Sequence, residues 1–251
     1  MSRLLLLSSL IMSVVSTACS ESKTPSIESY KTLESSYSNP LVRVVAVGNV
    51  PEEHLRTTLQ VVTDRGRQLV QNLGSDPLPQ SSVYIWEERD DFESAYGEKN
   101  NFTRGFVHTD EWAVHVHYTN RSPAKGALHE YAHLVLYSLR PTIASESRWL
   151  WETIPIYISN RPPAPKLASL KCISSGSTPS FQNLNEHGSN IYRIGFHIGD
   201  FLIGKWGWGG VAKLLRNGGD IEAAFGIDET EFHRVWLEHL NIQRKEFSQD
   251  C

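Results

Sequence analysis

Two histidines stand four residues apart in the stretch His129-Glu130-Tyr131-Ala132-His133. On an α-helix, positions i and i+4 lie one turn apart on the same face. Two imidazoles so placed reach one tetrahedral metal ion, and zinc suits imidazole nitrogen. Glu130 then sits beside the ion, where it can deprotonate a bound water. The flanking residues support a helix. Ser122 is a good N-cap with Pro123 at the first helical position, and Pro141 stops the pattern after about Leu139. A third protein ligand must come from elsewhere in the chain, with a fourth position left open for water. Whatever this chain folds into must therefore bring a second element against the helix over residues 123–139.

Apolar spacing divides the rest. Leu41 to Val47 and Ser82 to Trp86 read as strands. Leu55, Leu59, Val62, Leu69, Val70 and Leu73 recur at helical spacing, and Gly74 ends that helix. Asp91 to Asn101 reads as a loop with at most one helical turn at Asp91–Tyr96. Gly105–His108 and Trp112–Tyr118 read as a hairpin. In its second strand His115 and His117 share one face; they border the cleft or bind nothing, and a structural or solvent role is favoured. After the helix that carries the two histidines, helices are expected at about Arg148–Ser159, Ser189–Trp206, Gly209–Arg216, Ile221–Phe225 and Glu229–Leu240, with a long loop over residues 161–188. Strands first and helices later is an α+β order. The expected architecture is a small N-terminal mixed sheet with a helix, followed by a mainly helical lobe.

Lys and Arg number 24 against 28 Asp and Glu, a net charge of −4, with no basic run or stripe. That excludes a nucleic-acid partner. The first residues read as an address. Arg3 precedes an apolar run from Leu4 to Val15, the length of a signal h-region and too short to span a bilayer. Ser16-Thr17-Ala18-Cys19 resembles the lipobox of bacterial lipoproteins, in which the cysteine becomes the lipidated first residue; ordinary cleavage near Ala18 is the other reading. On this basis residues 1–18 are a signal peptide, and 19–40 are a lipidated Cys19 with a flexible tether. Residues 41–251 are the folded domain. The resemblance implies an exported protein, anchored by lipid on Cys19 to the outer membrane or cell surface, with its domain in the periplasm. In that oxidising setting Cys172 and Cys251 either pair as a disulfide or stay as two thiols.

Eighteen residues separate His133 from Glu152, which lies in Trp149-Leu150-Trp151-Glu152-Thr153-Ile154-Pro155-Ile156-Tyr157. Here the sequence resembles the gluzincins, the zinc metallopeptidase group that includes thermolysin and the aminopeptidase-type enzymes. In the latter branch a glutamate at this spacing is the third ligand, in a Trp-Leu-x-Glu-Gly-x-Ala-x-Tyr segment. Trp149, Leu150, Glu152 and Tyr157 match; Thr153 and Pro155 stand where glycine and alanine are usual. The resemblance implies a zincin-like fold with the metal site in the cleft between sheet and helical lobe. It implies a Zn2+ ion on His129, His133 and Glu152, and hydrolysis of peptide or protein substrates with Glu130 as general base. Gluzincins often stabilise the oxyanion with a downstream tyrosine or histidine, which points to Tyr192 first and His197 second. No motif for holding a substrate's N-terminal amine precedes the metal helix, which points to an endopeptidase. The alternative, motivated by Thr153 and Pro155, is an inactive peptidase-like envelope lipoprotein that acts as a binding module. Proline inside a helix removes a backbone hydrogen bond and costs about 3 kcal/mol. The helix around Glu152 is thus expected to start later than Arg148 or to kink near Ile154.

Overall fold

The computed structural model describes residues 33–99, 103–159, 180–186 and 191–249. The signal peptide, Cys19, Cys172 and Cys251 fall outside the described residues. In chain order the elements are β1 (Leu33–Ser38), β2 (Val42–Val47), α1 (Glu52–Leu73), β3 (Ser81–Trp86), α2 (Arg89–Tyr96), β4 (Gly105–His108) and β5 (Ala113–His117). Helices follow: α3 (Ala124–Leu139), α4 (Ile143–Glu146), α5 (Arg148–Ser159), α6 (Phe181–Asn185), α7 (Ile191–Arg216), α8 (Ile221–Phe225) and α9 (Glu229–Gln249). The order is α+β, as expected. Among the described residues no helix is long and apolar enough to cross a membrane.

The five strands form one mixed sheet in the order β1-β2-β3-β5-β4. β2, β3 and β5 run parallel, and the two edges, β1 and β4, are antiparallel to their neighbours. Alternation along the strands gives the sheet two apolar faces. Val42, Val44, Val83, Ile85, Val114 and Val116 join the main core with α1 and α3. Val47, Trp86 and Phe106 form a smaller cluster with Phe92 and Ala95 of α2 on the other face.

Four elements correct the sequence reading: α2 is a helix of eight residues in a stretch expected to be largely loop, α4 forms where no helix was expected, and β1 and α6 are the other two. Residues 33–38, assigned to the flexible tether, pair with β2 as an edge strand. The guanidinium of Arg56 lies 4.4 Å from the centre of the Tyr37 ring, which ties β1 to α1. Residues 181–185, assigned to a loop, form α6, capped by the Ser180 hydroxyl accepting from the Asn183 N–H at 3.2 Å.

α3 is the centre of the molecule. Ala127, Leu128, Tyr131, Ala132, Leu134, Val135 and Leu136 are all buried, so it is covered on more than one side. Its start differs by one residue from expectation: Pro123 occupies the cap position and no side chain, Ser122 included, caps the first turn. It ends at Arg140, which is extended because Pro141 follows. α5 lies against α3 and is itself covered by α7. Pro155 sits inside α5, yet the helix runs unbroken from Arg148 to Ser159. The late start expected from the sequence does not occur. Every residue from Glu152 to Ser159 is buried, and packing on both sides outweighs one lost backbone bond. Gly199 of α7 makes the close approach possible: a Cβ there would lie 2.7 Å from the Tyr157 Cβ. The two helices expected at 189–206 and 209–216 are both present within α7 and meet at a kink at Gly207, whose backbone is non-helical with φ 64.

Candidate metal centre

His129 and His133 leave the same face of α3, with ring centroids 5.0 Å apart and planes nearly perpendicular. α5 delivers Glu152 to them. Its Oε2 lies 3.5 Å from His129 Nε2 and 3.9 Å from His133 Nε2. One ligand atom from each of the three residues falls within 4.8 Å of the others. Tetrahedral ligands about 2.0–2.1 Å from an ion lie roughly 3.3 Å from one another, so these separations fit a metal ion. The polar accounting agrees. Glu152 Oε2 is buried with no hydrogen-bond partner, an expensive arrangement unless a cation completes it. The group can therefore hold a metal ion. His133 and Glu152 are buried and His129 is partly exposed, so the approach from solvent is on the His129 side.

The two imidazoles are held differently. The ring of His133 stacks on Trp151, centroids 4.1 Å apart at 23°, and its Nδ1 is buried without a partner. Ligand histidines usually donate that N–H to an oxygen; here an aromatic face does the orienting. Burial and the His129 charge hold the His133 pKa down to about 3. Burial also works against charge on His129, but Glu152, Glu130 and the Pro155 carbonyl outweigh it and its pKa is raised. Glu152 shows the same balance in reverse: burial resists its charge, and the two histidines with Arg148 bring its pKa below the usual range.

Glu130 points toward the edge of the sheet. A Cβ on Gly105, the first residue of β4, would lie 2.6 Å from Glu130 Oε1 and 2.7 Å from its Cγ. Only glycine leaves room for the carboxylate between α3 and the edge strand. Burial pushes the Glu130 pKa up to about 7, His129 opposing and Glu152 adding. Near neutrality, a carboxyl so tuned both takes and gives a proton.

Tyr192 stands in the first turn of α7 and is 61% exposed, yet its hydroxyl faces Glu152. Burial of that end, then the Glu152 charge, raises its pKa above the ordinary phenol value, so it stays protonated and able to donate. His197, the second choice, is buried further along α7 with its ring edge-on to Phe196. His115 and His117 lie on the α2 face of the sheet, away from α3. His115 stacks on Phe106 at 4.4 Å and accepts from the Trp86 indole N–H at 3.1 Å; His117 lies against Phe92. Both serve structure, as favoured from the sequence.

Sequence reasoning missed Gly105, Trp151, Arg148 and Asn185. Asn185 of α6 accepts from the Trp149 N–H at 3.1 Å and so caps the start of α5. A glycine opening a strand was the one available signal, since it often marks a close approach. No protein-family model matches the chain, and no curated protein matches it.

Proposed function

We propose that the chain is a zinc-dependent peptide hydrolase of the zincin type, with the site lying between the sheet edge and the helical lobe. The observation that carries this is the convergence of two imidazoles and an unpartnered carboxylate oxygen beside a second, separately placed carboxylate, Glu130. His129, His133 and Glu152 would hold the ion; two nitrogens, one oxygen and an open side suit zinc. When bound, zinc supplies Lewis acidity and a water of lowered pKa. Glu130 takes the water proton and passes it to the leaving amine. Tyr192 donates its hydroxyl to the oxyanion. Trp151 keeps the His133 ring in register, and Gly105 gives Glu130 its space.

The binding-module alternative drew on Thr153 and Pro155. Neither displaces Glu152, which stays 3.5 Å and 3.9 Å from the two histidines. Export and a lipid on Cys19 belong to the same proposal and place the substrate in the cell envelope. The test is cleavage of a peptide library by the zinc-loaded chain, with Glu130→Gln as the blank. Cleavage by the wild type, slowed by about 10² or more in the variant, supports the reading. No cleavage of any peptide by a protein shown to carry zinc overturns it.

A further inference from the structure

Arg148 opens α5, one helical turn ahead of Glu152, so both side chains leave the helix on the same side. Its charge acts on His133, Glu152 and Tyr192. Its Nε is buried and has no hydrogen-bond partner. Four other arginines hold carboxylates, Arg56 with Glu52, Arg89 with Glu93, Arg140 with Glu146 and Arg234 with Glu231, and all four lie away from the metal ligands. Among the described residues Arg148 holds none. The carboxylates of the site are turned elsewhere, Glu152 Oε2 toward the histidines and Glu130 against Gly105.

A guanidinium stays charged at any working pH. Its planar fork of donors matches a carboxylate in two parallel hydrogen bonds. With a divalent ion on the three ligands, Glu130 and Glu152 balance the ion, and Arg148 leaves the site one positive charge in excess. The excess lies beside the metal ligands, because Arg148 stands one helical turn from Glu152 and its charge acts on it.

We propose that Arg148 receives a carboxylate of the bound peptide, so that the site selects chains by an acidic group near the bond it cuts. This rests on the hydrolytic reading above. Two sources offer that group. The free C-terminal carboxylate would make the chain act from the C-terminal end. An Asp or Glu side chain would make it cut internally beside acidic residues.

Three forms of one pentapeptide, Ala-Ala-Phe-Ala-Ala, separate these: the free acid, the C-terminal amide, and the amide with Glu in the fourth position. Binding is read by calorimetry on the zinc-loaded Glu130→Gln chain, which removes turnover, and cleavage is read by mass spectrometry on the wild type. We expect one of the two acidic forms to bind at least tenfold tighter than the neutral amide, and the preferred form names the source. Arg148→Ala in the same background should erase the difference while zinc content stays at the wild-type level; Arg148→Gln serves if the alanine variant fails to fold. A neutral amide that binds as well as both acidic forms overturns the proposal, as does a preference that survives without Arg148. An Arg148-dependent preference without cleavage keeps the receptor and removes the hydrolase. Cleavage without preference does the opposite.

Discussion

Two of the buried histidines, His115 on the sheet and His133 on α3, do different work. On the sheet, His115 lies among Tyr84, Trp86 and Phe106, with the Trp86 N–H on its Nδ1. On α3, His133 lies against Trp151 with a carboxylate oxygen 3.9 Å from its Nε2. Burial is the main reason that both have pKa values near 3. Aromatic stacking is common to both. A buried imidazole with a low pKa therefore does not mark a site. The difference is convergence: among the described residues no carboxylate closes on His115, whereas Glu152 reaches both histidines of α3 with an oxygen left without a hydrogen-bond partner.

Substitutions should separate the two regions in a graded way. His133→Ala should take zinc from about one ion per chain to near none and abolish hydrolysis, read by elemental analysis and a peptide assay. Glu130→Gln should keep the zinc and lower the turnover rate by about 10²–10⁴. Trp151→Ala should weaken zinc binding by about 10–100-fold, the scale of outer-shell support, read by competition with a chelator; Trp151→Phe should recover most of it.

His115→Leu should leave zinc content unchanged and lower stability at neutral pH by about 1–3 kcal/mol, because it removes the acceptor of the Trp86 N–H. The same variant tests a pH effect with a definite sign. The folded-state pKa of His115 lies near 3, below the ordinary value of 6.5. The unfolded chain thus binds a proton that the folded chain refuses. Stability from this group is complete above pH 6.5 and falls as pH drops toward 3, by at most about 1.4 kcal/mol per unit. Urea unfolding at pH 7.5 and 5.0 should show a smaller loss in His115→Leu than in the wild type; equal losses would remove His115 from the account.

Much of the fold could be read from apolar spacing, because α1, the hairpin of β4 and β5, and α3 carry their own periodicity and stops. β1 could not, since Leu33-Glu34-Ser35-Ser36-Tyr37-Ser38 has no β-branched residue and owes its extended form to one neighbouring strand. α5 spans the residues its helical spacing marked, Arg148–Ser159; only the late start that Pro155 argued for is absent, because burial between α3 and α7 overrides the local preference. The ligand set was readable because His129 and His133 share a helix and Glu152 follows at a spacing that resembles a known pattern. Gly105, Trp151 and Arg148 were not, because their parts depend on how β4 and α5 come against α3, which no local spacing encodes.

The most direct test is the metal content of the purified chain, by elemental mass spectrometry, beside Glu152→Ala and His115→Leu. About one zinc per chain, lost in Glu152→Ala and kept in His115→Leu, is the predicted result. No bound zinc after the metal is added back, or zinc retained without Glu152, would contradict the assignment of the ion to the convergence of α3 and α5.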